Sequence, residues 1–192
     1  MIPYPAGHEP DLCDPDPGQS SHRFALGNTA RATLANPPLI AICMNPSHAR
    51  EGQSDKTINR LIRASEELGY GGWIVLNLYP ERSPKPSSLA PFNLALSTAN
   101  RDAIARVLAR YRATEVLGAW GTLTNPTLRK AKLDLLPMLA ALGVRVFTLD
   151  PLTDRGNPRH PSPQGGFLPM FGPKVYLTCV KIRLAHFPGQ HT

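Results

Sequence analysis

The chain has 192 residues, 42% of them hydrophobic, which suffices for one compact domain with a real core and falls short of two. Lys and Arg number 21 against 14 Asp and Glu, and the resulting charge of +7 with a pI near 9.7 suits nucleic acid, nucleotides or anionic surfaces and equally serves solubility. Cys13, Cys43 and Cys179 are scattered with no Cys-x-x-Cys spacing, which excludes a disulfide framework, a zinc site and an iron-sulfur cluster and fits a reducing cytoplasm.

Residues 1–22 are crowded with Pro3, Pro5, Pro10, Pro15 and Pro17 and lack the basic start and apolar run of a signal peptide, so they read as a disordered leader. A single α/β domain is expected over 23–170, with an arm of uncertain structure over 171–192. No apolar run approaches the roughly 20 residues that cross a bilayer, so no membrane association and a cytoplasmic location are expected.

In chain order, Arg23-Phe24-Ala25-Leu26 reads as a short edge strand, and Pro37-Pro38 punctuates the entry into a strand over 39–44. That strand is apolar on both faces, as a central strand covered on each side would be. Ser54 is the expected N-cap of a helix whose Ile58, Leu61, Ile62, Ser65 and Leu68 follow helical spacing, with Gly69 as the stop. Gly71-Gly72 leads into a strand over 73–78, and strand, helix, strand predicts a right-handed parallel unit. Pro80, Pro84, Pro86 and Pro91 keep the next stretch irregular, with Arg82 and Lys85 among them. Asn100 is the expected cap of a second helix, striped by Ile104, Val107, Leu108 and Tyr111, which feeds a third strand over 115–120. Asn125-Pro126 forms an N-cap and first-turn pair for a third helix, which Pro137 is expected to kink or split and Gly143 to end. A fourth strand follows over 144–149, then a loop from Asp150 to Pro163, and residues 174–182 read as a short strand or an irregular arm. The alternation predicts a three-layer α/β/α sandwich with a central, mainly parallel four-stranded sheet.

Ligands of such sheets sit beyond the carboxyl ends of the strands, where the first strand runs into Asn45-Pro46-Ser47 and the second into Asn77. An asparagine closing an apolar strand must satisfy four hydrogen-bonding positions, with a base edge or with loop backbone. His160-Pro161-Ser162-Pro163 falls at the same edge, as a proton donor to a developing anion or as a surface loop. Arg155 and Arg159 either meet phosphates or are solvated. Asp55 complements a helix dipole or takes part in catalysis, and Trp120 stacks on a ligand or packs in the core. Gly-x-Ser-x-Gly, Gly-x-Gly-x-x-Gly and Walker-type loops are missing, which disfavours serine hydrolases and P-loop enzymes. The remaining histidines show no metal-ligand spacing, so neither a metal nor a cofactor is expected.

These motifs resemble the domain-of-unknown-function 1643 family of bacteria and phages. Its pattern is matched by Asn45-Pro46-Ser47-His48-Ala49, Asp55-Lys56-Thr57, Gly69-Tyr70-Gly71-Gly72, Asn77-Leu78, Arg82, Trp120-Gly121 and Gly156-Asn157-Pro158-Arg159-His160-Pro161. His48 replaces a threonine of the pattern and Lys56 a proline. More distantly, the order of strand plus Asn-Pro, strand plus Asn, strand plus Trp-Gly and His-Pro-Ser-Pro is similar to the uracil-DNA glycosylase superfamily. That resemblance implies its α/β/α fold, Asn45 at the water-activating position, Asn77 as the amide that reads the base, and His160 as the group that stabilises the departing base. No aromatic matches the superfamily's base-stacking position.

The leading expectation is therefore cleavage of an N-glycosidic bond in DNA or a nucleotide at a modified or damaged base, with a non-catalytic nucleotide or modified-nucleic-acid binder as the alternative. Asn45, His160 and Asp55 are the candidates for the reaction. Asn77, Pro46, Ser47 and Trp120 would surround the base, and Arg82, Lys85, Arg159 and Ser162 would hold phosphates.

Overall fold

The computed structural model describes residues 2–15, 21–46, 52–83, 85–162 and 170–178. Among them the elements run β1 (Leu12–Asp14), β2 (Ala25–Asn28), β3 (Leu39–Cys43), α1 (Lys56–Glu67), β4 (Trp73–Asn77), a 3-10 turn (Pro86–Ser88), α2 (Leu94–Arg110), β5 (Glu115–Gly118), α3 (Pro126–Ala141), β6 (Arg145–Thr148) and β7 (Val175–Tyr176).

All seven strands join one sheet in the order β1-β2-β4-β3-β5-β6-β7. The pairs β3 with β4, β3 with β5 and β5 with β6 are parallel, whereas β1 with β2, β2 with β4 and β6 with β7 are antiparallel. The sheet is thus mixed and seven-stranded rather than four-stranded. Of the three added strands, β2 answers to the short strand read at 23–26 but lies inside the sheet between β1 and β4, β7 falls within the stretch 174–182 read as a short strand or an arm, and β1, three residues long, is too short to show alternation. β1 lies in the segment expected as a leader: Leu12–Asp14 pairs with β2, and Tyr4 stacks on the buried Trp73 at a centroid distance of 6.0 Å. At the other end Val175–Tyr176 adds the last strand, and Glu115 fastens it by accepting from Tyr176 Oη at 2.6 Å and by an ion pair with Lys174. The segments 16–20, 163–169 and 179–192 lie outside the described residues.

β3 and β4 are buried at every position, as strands covered on both faces must be. Leu39, Ala41, Trp73 and Val75 pack with Ile58, Leu61 and Ile62 of α1 on one side. Ile40, Ile42, Ile74 and Leu76 pack with Ile104 and Leu108 of α2 and Leu128, Leu135 and Leu139 of α3 on the other. Side-chain alternation along each strand therefore sorts two apolar clusters between one helix and two.

Helix starts follow cap chemistry. Asp55 rather than Ser54 caps α1, its carboxylate accepting from Ile58 N at 2.9 Å. Asn93 rather than Asn100 caps α2, accepting from Leu96 N at 3.1 Å, so α2 begins earlier than expected and Asn100 lies buried inside it. Asn125 caps α3 with Pro126 in its first turn, and the helix continues through Pro137 without splitting.

Candidate functional site

The carboxyl ends of β3 and β4, the segment after β5 and the loop after β6 surround one cavity of about 650 Å³. Its wall contains Asn45, Asn77 and, from one loop, Arg159, His160 and Ser162, so three stretches far apart in sequence meet there. The topology causes this convergence. Cys43 and Asn77 are register partners across the parallel β3–β4 pair, so both strands stop at one level and release their following residues to the same edge.

Asn77 is 1% exposed, and neither its Oδ1 nor its Nδ2 has a hydrogen-bond partner. A buried amide in that state costs about 1–3 kcal/mol, which makes it an exception among native polar groups. Its backbone is nevertheless held: Asn100 Nδ2 donates to Asn77 O at 2.9 Å and to Leu78 O at 3.2 Å.

Asn45 is organised in the opposite way. Its Nδ2 donates to Ser83 O at 2.9 Å and Pro46 O at 3.2 Å, which uses both N–H groups on backbone. What it offers a ligand is Oδ1, an acceptor. Pro46 is buried and Ser47 lies outside the described residues.

His160 is half-buried, and Ser162 N donates to its Nδ1 at 3.1 Å. An accepting Nδ1 requires the neutral ring with its proton on Nε2, so His160 presents a donor. Burial above all lowers its pKa from the ordinary 6.5. The His160 segment can approach closely because residue 121 is glycine: its φ is +67°, and a Cβ there would lie 2.9 Å from His160 Cβ. Behind this loop, Asn157 Oδ1 accepts from Trp120 Nε1 at 3.3 Å and Lys132 Nζ at 2.9 Å, tying the His160 segment to the stretch after β5 and to α3.

The remaining candidates divide. Trp120 is buried in the core and does not reach the cavity wall. Asp55 serves α1 as its cap and is likewise off the wall, although Thr57 and Ile58 of the first turn line it. Arg82 and Lys85 are not on the wall, but Ser83, Pro86 and Ser87 of the same loop are. Arg159 lines the cavity and is exposed, with Nε donating to Pro151 O at 3.0 Å. Ser162 Oγ is buried without a partner.

One charged wall residue escapes the sequence reading. Arg23 is 2% exposed and lines the cavity, its backbone N–H donating to Pro80 O at 2.8 Å. Because β2 runs antiparallel to β4, its beginning arrives where β4 ends. Nothing in the sequence states that direction, and a lone arginine before an apolar run resembles any strand boundary.

Among the described residues no three His, Cys, Asp or Glu side chains gather as a metal site, and no helix is long and apolar enough to cross a membrane. Fold and site together define an α/β protein with a basic, hydroxyl-rich cavity at the carboxyl edge of its parallel strands. The chain belongs to the DUF1643 family, described as proteins of unknown function, whose model matches residues 23–162. No curated protein and no solved structure matches the chain.

Proposed function

We propose that the cavity binds a nucleobase of a nucleotide or nucleic acid and that Asn77 reads the base's hydrogen-bonding edge. The observation that carries this reading is the buried, unpartnered Asn77 amide in a cavity wall: an adjacent donor and acceptor match the adjacent acceptor and donor on a base. The cavity volume falls within the roughly 300–1,000 Å³ of small-ligand sites. Arg23, Arg159 and the hydroxyls of Thr57, Thr122 and Ser162 in the wall favour an anionic, oxygen-rich ligand.

A second reading, N-glycosidic hydrolysis, is favoured by the Nε2–H that Ser162 imposes on His160. Asn45 Oδ1 would hold water, whose oxygen bonds to the sugar carbon as the bond from that carbon to the base nitrogen breaks. The Nε2–H would donate a hydrogen bond to the base oxygen that gains charge, and the water's proton would leave through solvent. This assignment follows the motif order shared with the uracil-DNA glycosylase superfamily. Asparagine is a weak base, and Asp55 is placed as a helix cap, so binding is the function the geometry supports best.

Titration of the protein with nucleotides and with DNA carrying uracil, hydroxymethyl or glycosylated pyrimidines tests both readings. Saturable binding weakened by Asn77→Ala, with the ligand recovered intact, supports the binder. Abasic sites formed above an Asn45→Ala/His160→Ala control support hydrolysis. No binding to any of these ligands contradicts both.

A further inference from the structure

The base-pocket reading leaves open where the ligand's negative charge lies, and Arg23 bears on that question. A base swung out of a polymer enters a pocket alone, because the chain continues in both directions and its phosphates stay at the mouth. Cations that read a polymer backbone are accordingly exposed, as Arg159 is on this wall. Arg23 is the opposite case, a guanidinium 2% exposed whose segment is bonded to Pro80, three residues beyond Asn77. Burial first, then the neighbouring Arg82, pulls its pKa down to about 10, against the attraction of Cys13, Tyr4 and Asp55, so it remains a cation at neutral pH. Arg23 shares the cavity wall with Asn77, and the planar fork of a guanidinium matches a phosphate.

We infer that the ligand is a free nucleoside monophosphate taken up whole, with its base edge on Asn77 and its phosphate on Arg23. This rests on the base-pocket reading and names its ligand class. A cavity of about 650 Å³ accommodates a ligand of that size. Thr57, from the first turn of α1, adds a hydroxyl on the same wall. Arg23, rather than the exposed Arg159 or Lys85, is then the phosphate-binding residue, and the mouth needs no strand running past it.

The test is calorimetric titration of the intact protein with the four common nucleosides, their 5′-monophosphates and single-stranded trinucleotides carrying the same residue in the middle. The preferred monophosphate is expected to bind about 10-fold or more tighter than its nucleoside, as charge-assisted hydrogen bonds imply, and tighter than the trinucleotide. Arg23→Met should abolish that preference, Arg23→Lys should keep part of it, and Asn77→Ala should weaken nucleoside and monophosphate by the same factor. The wild-type comparison stands even if Arg23→Met does not fold. A trinucleotide that binds as tightly as the monophosphate, or a phosphate preference that survives Arg23→Met, overturns the inference. Nucleoside binding that depends on Asn77 but gains nothing from phosphate overturns it while leaving the base pocket intact. Absence of binding to every probe overturns both.

Discussion

Asn100, in the interior of α2, donates both of its amide N–H groups to the strand end that carries Asn77, at 2.9 Å to Asn77 O and 3.2 Å to Leu78 O. The helix thereby satisfies the backbone of β4 where the strand stops, and the Asn77 side chain is held without being used. Asn100→Leu should leave two buried carbonyls unpaired and lower stability by about 1–3 kcal/mol in urea denaturation. A loss below about 0.5 kcal/mol would show that these bonds do not hold the strand end.

Asn77→Leu should act in the other direction on stability. It removes two buried polar atoms that have no partners and keeps a similar volume. Unfolding free energy should rise by about 1 kcal/mol while nucleotide binding is lost. A protein with a site usually carries such a trade between fold and function. A stability loss of the same size instead would mean that Asn77 has a structural duty.

Gly121→Ala should displace the His160 loop. The new Cβ would stand 2.9 Å from His160 Cβ at a φ of +67°, which l-residues rarely adopt. A destabilisation of about 1–2 kcal/mol, together with weaker ligand binding, is expected. Unchanged urea midpoint and affinity would contradict the close packing of Gly121 on His160.

The pH dependence has a defined sign. Burial lowers the folded pKa of His160 from 6.5, so on acidification the unfolded chain takes up this proton first. The stabilising contribution is complete above 6.5, declines as pH falls below that value, and levels off once pH passes beneath the folded pKa. His160→Gln should flatten this part of the stability profile relative to wild type. A wild-type curve that gains stability on acidification, relative to His160→Gln, would contradict the burial.

Much of this was legible in the sequence wherever a single element decides the matter. Apolar runs such as those over 39–43 and 73–76 announce central strands, and Asn125-Pro126 announces a helix start. The cavity's convergence of Asn45, Asn77 and His160 follows from parallel strands that end at one edge. Relations across the chain were not legible. Asn100 resembles a cap until Asn93 is seen to fill that role, and its partners lie 22 and 23 residues away. Arg23 enters the site only through the antiparallel direction of β2, and Trp120 leaves it because Asn157 offers its indole N–H a partner in the core.

The central claim is that the Asn77 amide reads a base, and the most direct measurement is the distance from that amide to the ligand in a crystal structure of the protein with its preferred nucleotide. The account predicts Oδ1 and Nδ2 each at about 3 Å from a complementary atom of the base. A nucleotide bound elsewhere, or one seated in the cavity with the Asn77 amide still unpaired, would contradict it.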